Sequence, residues 1–218
     1  MAKSWSDFFN WVLPHVPGCP QRVAEDAIRE AAIAFCDQTL VYKRTLTLDA
    51  VAGGTGLYDL AAPVATQLGD QVEVLAILDG HYNGTRVFPK TDLELAQQYG
   101  DTWDTTTGVT RWFNQFDEFT ARFAPIPDTA AVGGLVLSLA LVPAETASEF
   151  DDVMWKSYHI EIANAAVAAL MMSTKKPYTN LSVGAARTSR FSQDCNTVAA
   201  NKKNNYTRRP LRSTAIFR

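Results

Sequence analysis

Histidine is nearly missing from this chain: His15, His81 and His159 are the only three in 218 residues. Hydrolytic or metal chemistry needs imidazole or carboxylate groups converging from separate segments. His159-Ile160-Glu161 lacks the HExxH spacing that sets two ligands on one helical face, so each histidine is read as structural or surface-exposed. Cysteine is as sparse. Cys19, Cys36 and Cys195 are an odd, scattered set with no CxxC spacing, which argues against a disulfide framework and a zinc knuckle; Cys36 reads as core and Cys19 as loop. The longest apolar runs, 130–141 and 160–172, are interrupted or too short for a bilayer of roughly 30 Å, which takes about 20 apolar residues. No membrane span is expected. Residues 1–10 hold one Lys, then Trp5, Asp7, Phe8 and Phe9, with no continuous apolar stretch and no small-residue cleavage site, so the protein is expected to stay in the cytoplasm where it is made.

Acid is the other absence, and it is local. Beyond Thr174 the only acidic residue is Asp194, against 10 Lys/Arg, a net +9; residues 1–174 hold 10 Lys/Arg and 22 Asp/Glu, a net −12. The formal charge of −3 conceals that polarity. A tail of this kind binds something acidic, and because the body itself is acidic, a neighbouring protein suits it better than duplex DNA.

Apolar material is plentiful. It makes up 47% of the chain, with 11 Phe, 7 Tyr and 5 Trp, enough for one principal core. Ser4 opens a short amphipathic helix that Pro14 and Pro17 stop. Residues 21–40 place Val23, Ala24, Ala27, Ile28, Ala31 and Phe35 on one helical face, opposite Arg22, Glu25, Asp26, Arg29 and Glu30, with Pro20 at the first helical position. From Val41 the period becomes two. A glycine-rich break, 53–56, reads as a hairpin loop, since no GK[ST] follows it as a phosphate loop requires. Residues 71–78 and 85–88 read as paired strands, with Asp79-Gly80 and Asn83-Gly84 as turn signals. Thr91 and Glu94 form a capping box for a helix over 91–99. Three strands are expected at 109–115, 118–124 and 134–142, the last apolar enough to be central. The longest helix spans 148–172, with an Ala-rich second half suited to close packing. Residues 180–200 read as helical, and from Lys202 the chain reads as extended and unfolded until bound.

Other chemistry is thin. Cys36 with His15 as nucleophile and base lacks an orienting third group. Asp101, Asp104, Asp117 and Glu118 do not match a calcium-loop spacing and read as solvated carboxylates. A hydrolase would need a carboxylate pair or Cys/His dyad that these residues do not supply. Trp103, Trp112, Phe113, Phe116 and Phe119 read as core of the β-rich segment, with a subunit-facing role as the alternative. The expectation is a protein with no catalytic activity and no cofactor or metal.

Residues 11–40, WVLPHVPGCPQRVAEDAIREAAIAFCDQTL, resemble the opening of head-to-tail adaptor (connector) proteins of tailed bacteriophages: a short helix, a PGCP-type turn, and a helix ending in an aromatic-Cys pair. The element order is similar too. The resemblance implies an α+β fold, with a helical bundle from 1–40 and 146–200, a β-rich insertion at 41–145 and a basic extended C-terminal arm at 201–218. It further implies a structural virion protein, made in the host cytoplasm and placed in the neck. Such adaptors form a homo-oligomeric ring, twelve copies in the usual case, that joins the portal protein to the tail tube or nozzle protein, with non-specific contact to packaged DNA as a further possibility. By that likeness Lys202, Lys203, Tyr206, Arg208, Arg209, Leu211, Arg212, Ile216 and Phe217 would contact the portal. Charge interleaved with apolar anchors suits insertion into a groove. Alternatives are a tail-completion or other neck protein, or a nucleic-acid-binding protein that sets the same tail on phosphates.

Overall fold

The structure, a computed structural model, describes residues 2–48, 53–117, 119–130 and 134–203. A two-residue strand, β1 (Lys3–Ser4), leads into helical turns at Trp5–Phe8, α1 (Phe9–Val12) and Leu13–His15, capped by the Ser4 hydroxyl, which accepts from the Ser6 amide at 3.4 Å. Trp5, Phe8 and Val12 are fully buried. α2 (Gln21–Thr39) begins one residue later than the sequence implies, with Pro20 as its cap. Ala24, Ala27, Ile28, Ala31 and Phe35 are buried as the 3.6-residue period requires. Val23 is not; it is 42% exposed, because it sits about 100° round the helix from Ala24 and off that face. Leu40, left-handed at φ 50°, ends the helix by donating its amide to the Cys36 carbonyl.

β2 (Lys43–Leu48) and β3 (Leu57–Asp59) flank the glycine-rich segment. The next element, α3 (Ala61–Leu68), is one the sequence reading lacked: Pro63 looks like a breaker but lies in the first turn, where its missing N–H costs nothing. β4 (Val72–Tyr82) and β5 (Thr85–Pro89) form the expected hairpin, with Asn83 and Gly84 at positive φ in its two-residue turn. Asp79-Gly80 is not a turn. It lies within β4, where a Cβ on Gly80 would stand 3.0 Å from side-chain carbons of both Leu137 and Val87. α4 (Asp92–Tyr99) carries the capping box of Thr91 and Glu94.

The remaining strands are β6 (Thr107–Gly108), β7 (Trp112–Asp117), β8 (Thr120–Ala124), β9 (Ile126–Pro127), β10 (Leu135–Pro143) and β11 (Glu149–Phe150). Two long helices follow, α5 (Asp152–Met172) and α6 (Leu181–Lys203). α5 starts later than 148 because β11 pairs with β1; Asp151 is its cap, accepting from the Val153 and Met154 amides at 2.8 and 3.2 Å. α6 runs through Lys203, so Lys202 and Lys203 belong to a helix where the sequence reading had an extended arm.

The fold is α+β. Seven strands form one mixed sheet in the order β2-β10-β4-β5-β7-β8-β3, antiparallel except for β5 with β7. β10 is flanked on both sides and heavily buried, as its composition implies. β2 and β3 pair with β10 and β8, not with each other, which corrects the hairpin reading of the glycine-rich segment. Instead the Gly54 amide donates to the Pro127 carbonyl at 2.7 Å, and a Cβ at Gly53 would meet Thr129 and Ala130 backbone at 2.9 Å, so glycine here permits close backbone approach. One continuous core runs from the helices into the sheet, joining Phe35, Ile28, Leu137, Leu139 and Ile162.

Candidate assembly surface

The C-terminal half of the helical layer is a hairpin of α5 and α6, and its seam is made by small residues. A Cβ at Gly184 would lie 3.0 Å from the Met172 side chain and 3.3 Å from the Ala168 carbonyl. One turn on, Arg187 donates to the Asn164 side chain at 2.7 Å. As α6 advances from 184 to 187, its partner on α5 retreats from 168 to 164, so the helices are antiparallel. The intervening turn is pinned by Asn180, whose amide donates to the Met171 carbonyl at 2.9 Å, and by buried Tyr178. Farther along, Phe191 and Tyr158 pack on Phe35 of α2, with ring centroids 6.3 and 5.0 Å away. α6 therefore ends beside the N-terminal end of α5.

Apart from that seam α6 is open. Among its residues 181–201, only Gly184 and Cys195 are buried. Its first turn exposes Leu181 and Val183, at 51% and 38%, next to Met172 at 44%. Trp11, Val153 and Ile160 are also exposed, at 46%, 62% and 49%.

Of the nine residues assigned to the arm, Lys202 and Lys203 lie on the last turn of α6; Tyr206, Arg208, Arg209, Leu211, Arg212, Ile216 and Phe217 lie outside the described residues.

The other candidate groups fall apart spatially. Cys36 is fully buried in α2, and burial, with the nearby Cys195 thiol adding to it, pushes its ionisation up to about 12, a poor nucleophile at neutral pH. His15 is exposed and lies 3.5 Å from an Arg187 guanidinium nitrogen, not on a cysteine. His159 is packed by its ring against Trp155 and Trp11, at 4.7 and 5.1 Å. Among the described residues no group of three His, Cys, Asp or Glu could hold a metal ion, and no helix is long and apolar enough to cross a membrane. Glu118 lies outside the described residues. The aromatic set divides: Trp103 and Phe113 are buried, Trp112 and Phe119 are half-buried, and Phe116 is 58% exposed under the Arg122 guanidinium.

No family model matches this chain, and no curated protein matches it. Its functional reading therefore rests on its own residues. What those residues offer is a helix packed on α5 and α2 along one face, ending in lysines, and continued in sequence by a segment with four Arg and no acid.

Proposed function

We propose that this chain is a non-catalytic connector of a tailed-phage virion, a head-to-tail adaptor that forms a ring under the portal and joins it to the tail tube. The observation that carries the reading is α6, whose long exposed surface delivers the basic C-terminal segment at one end of the helical layer. Along 181–201 that helix packs on α5 and α2 through one stripe, with Gly184, Arg187, Phe191 and Cys195, and leaves the rest of its surface exposed. A neighbouring copy, covering its open face and the patch at Leu181 and Val183, would supply the missing burial. The end of the basic segment then anchors the ring on the portal, with Ile216 and Phe217 as its apolar contacts.

The test is co-sedimentation of the purified full-length protein with purified portal rings. Full-length protein is expected to pellet with the portal, and substitution of Ile216 and Phe217 by Asp to abolish this without lowering the melting temperature. Retention of binding by that variant, or no binding by the parent, overturns the reading. If the arm instead serves nucleic acid, substitution of Arg208, Arg209 and Arg212 by Glu removes DNA affinity, and the parent's affinity falls steeply and linearly in log salt.

A further inference from the structure

Away from the α6 seam, a groove of about 670 Å3 opens along α2. Its floor is apolar, formed by Ile33 and Ala34 of α2, Leu75 of β4 and Val142 of β10. Its walls are acidic: Asp26, Glu30 and Asp37 rise from α2, Glu145 faces them from the loop after β10, and Arg29 is the one cation in the lining. Arg29 is already engaged, 3.5 Å from Glu25 and 3.4 Å from Asp26. Glu30, Asp37 and Glu145 have no cation within ion-pair distance among the described residues. The groove thus carries a net −3 over a greasy bed, a form that takes an extended peptide with cations outside and apolar side chains beneath.

We infer that the occupant is residues 206–212 of the neighbouring copy. That stretch reads YTRRPLR, three Arg with Tyr206 and Leu211, so its charge of +3 balances the groove and its apolar side chains suit the floor. Guanidinium forks hold carboxylates by paired hydrogen bonds, which fixes the register of such a strap. From Lys203 the chain spans at most about 10 Å to Tyr206 and about 30 Å to Arg212, so the receiving groove has to lie close beside the end of α6. Phe35, where Phe191 of α6 meets α2, lies about 140–180° round the helix from Asp26, Glu30, Ile33 and Asp37, so the groove opens away from that contact. Ile216 and Phe217, beyond the strap, remain free for the portal.

This inference rests on the ring reading, and its test separates the two. Two full-length proteins are mixed, both with Cys19→Ser, one with Ile33→Cys and the other with Leu211→Cys, and treated with a short bis-maleimide. A crosslinked dimer is expected, its yield falling about tenfold on Glu30→Lys with Asp37→Lys and recovering when the other chain carries Arg208→Glu with Arg209→Glu. The double-cysteine chain reports the intramolecular alternative. No crosslink between chains, a crosslink only within one chain, or a yield indifferent to these reversals overturns the strap. Portal binding of the Ile33→Cys and Leu211→Cys proteins, otherwise unchanged in the groove and arm, is measured in parallel. If the portal is still bound while the crosslink fails, the strap alone is wrong; if neither is seen, the connector reading falls with it.

Discussion

α5 and α6 are neighbours of nearly equal length, 21 and 23 residues, with opposite surroundings. Nine residues of α5 are buried, among them Ile162, Ala166, Val167 and Leu170; α6 buries only Gly184 and Cys195 up to residue 201. Composition explains it. The second half of α5 is Ala, Val, Leu and Met, good helix formers packed on both sides, whereas α6 is punctuated by Gly, Ser, Thr and Asn. Several of those hydroxyls turn back on the helix: Thr188 donates to the Gly184 carbonyl at 3.0 Å and Thr197 to that of Gln193 at 2.9 Å. A helix so weak in intrinsic propensity holds its form through its contacts. α5 is thus the framework of the layer, and α6 is a surface lent to it by one seam.

The hardest blow to that arrangement is at Phe35, where α2 meets both helices. Phe35→Ala removes a fully buried ring that touches Tyr158 and Phe191, and a loss of about 3–5 kcal/mol in urea denaturation is expected. Gly184→Leu acts on one helix only. Its side chain has no room beside Met172 and the Ala168 carbonyl, so α6 should lift from α5 at a cost of about 1–3 kcal/mol while the sheet stays intact. Maleimide labelling at neutral pH checks this: buried Cys195 is expected to be unreactive in the parent and to label readily in the variant.

The same seam carries a dependence on alkaline pH. Burial first, then neighbouring charge, holds Cys36 up at about 12 and Cys195 up at about 11, against an ordinary 9.0. Below pH 9 both thiols are protonated whether the chain is folded or not, and the full stability is present. As pH rises past 9 the unfolded thiols ionise and the folded ones do not, so stability is lost, up to the folded values, at about 1.4 kcal/mol per pH unit for each thiol. Urea midpoints at pH 8.5, 9.5 and 10.5 should fall less steeply in Cys36→Ala than in the parent.

How much of this was legible in the sequence depends on the range of the contacts involved. α2, β10 and α5 announce themselves because their periodicity or unbroken apolar runs answer to one extensive core. α3 stayed hidden, since its eight residues carry a proline and no charge to mark a solvent face, and Gly80 was misread as a turn because its reason lies in Leu137, 57 positions away. The register of Gly53 against Thr129 and Ala130 is equally long-range. Of the candidate surface, the charge polarity was plain in the residue counts. The groove was not, because Asp26, Glu30 and Asp37 look like an ordinary solvated helix face until Leu75, Val142 and Glu145 are brought beside them.

The smallest change in stability should accompany the sharpest separation of the two helices. Leu181→Gln with Val183→Gln alters side chains that are already 51% and 38% exposed, so the isolated subunit should keep its stability within about 0.5 kcal/mol. If α6 is a surface awaiting a second copy, those same changes should weaken self-association severalfold, seen as a shift to slower-forming or smaller species in sedimentation velocity. A single matching change on the framework helix behaves in reverse: Val167→Gln, at a fully buried position, unfolds the layer before it can affect assembly. Equal and slight effects of the α6 changes on both stability and association would mean that its open face meets only water, and the contrast between the helices would then be one of composition without consequence.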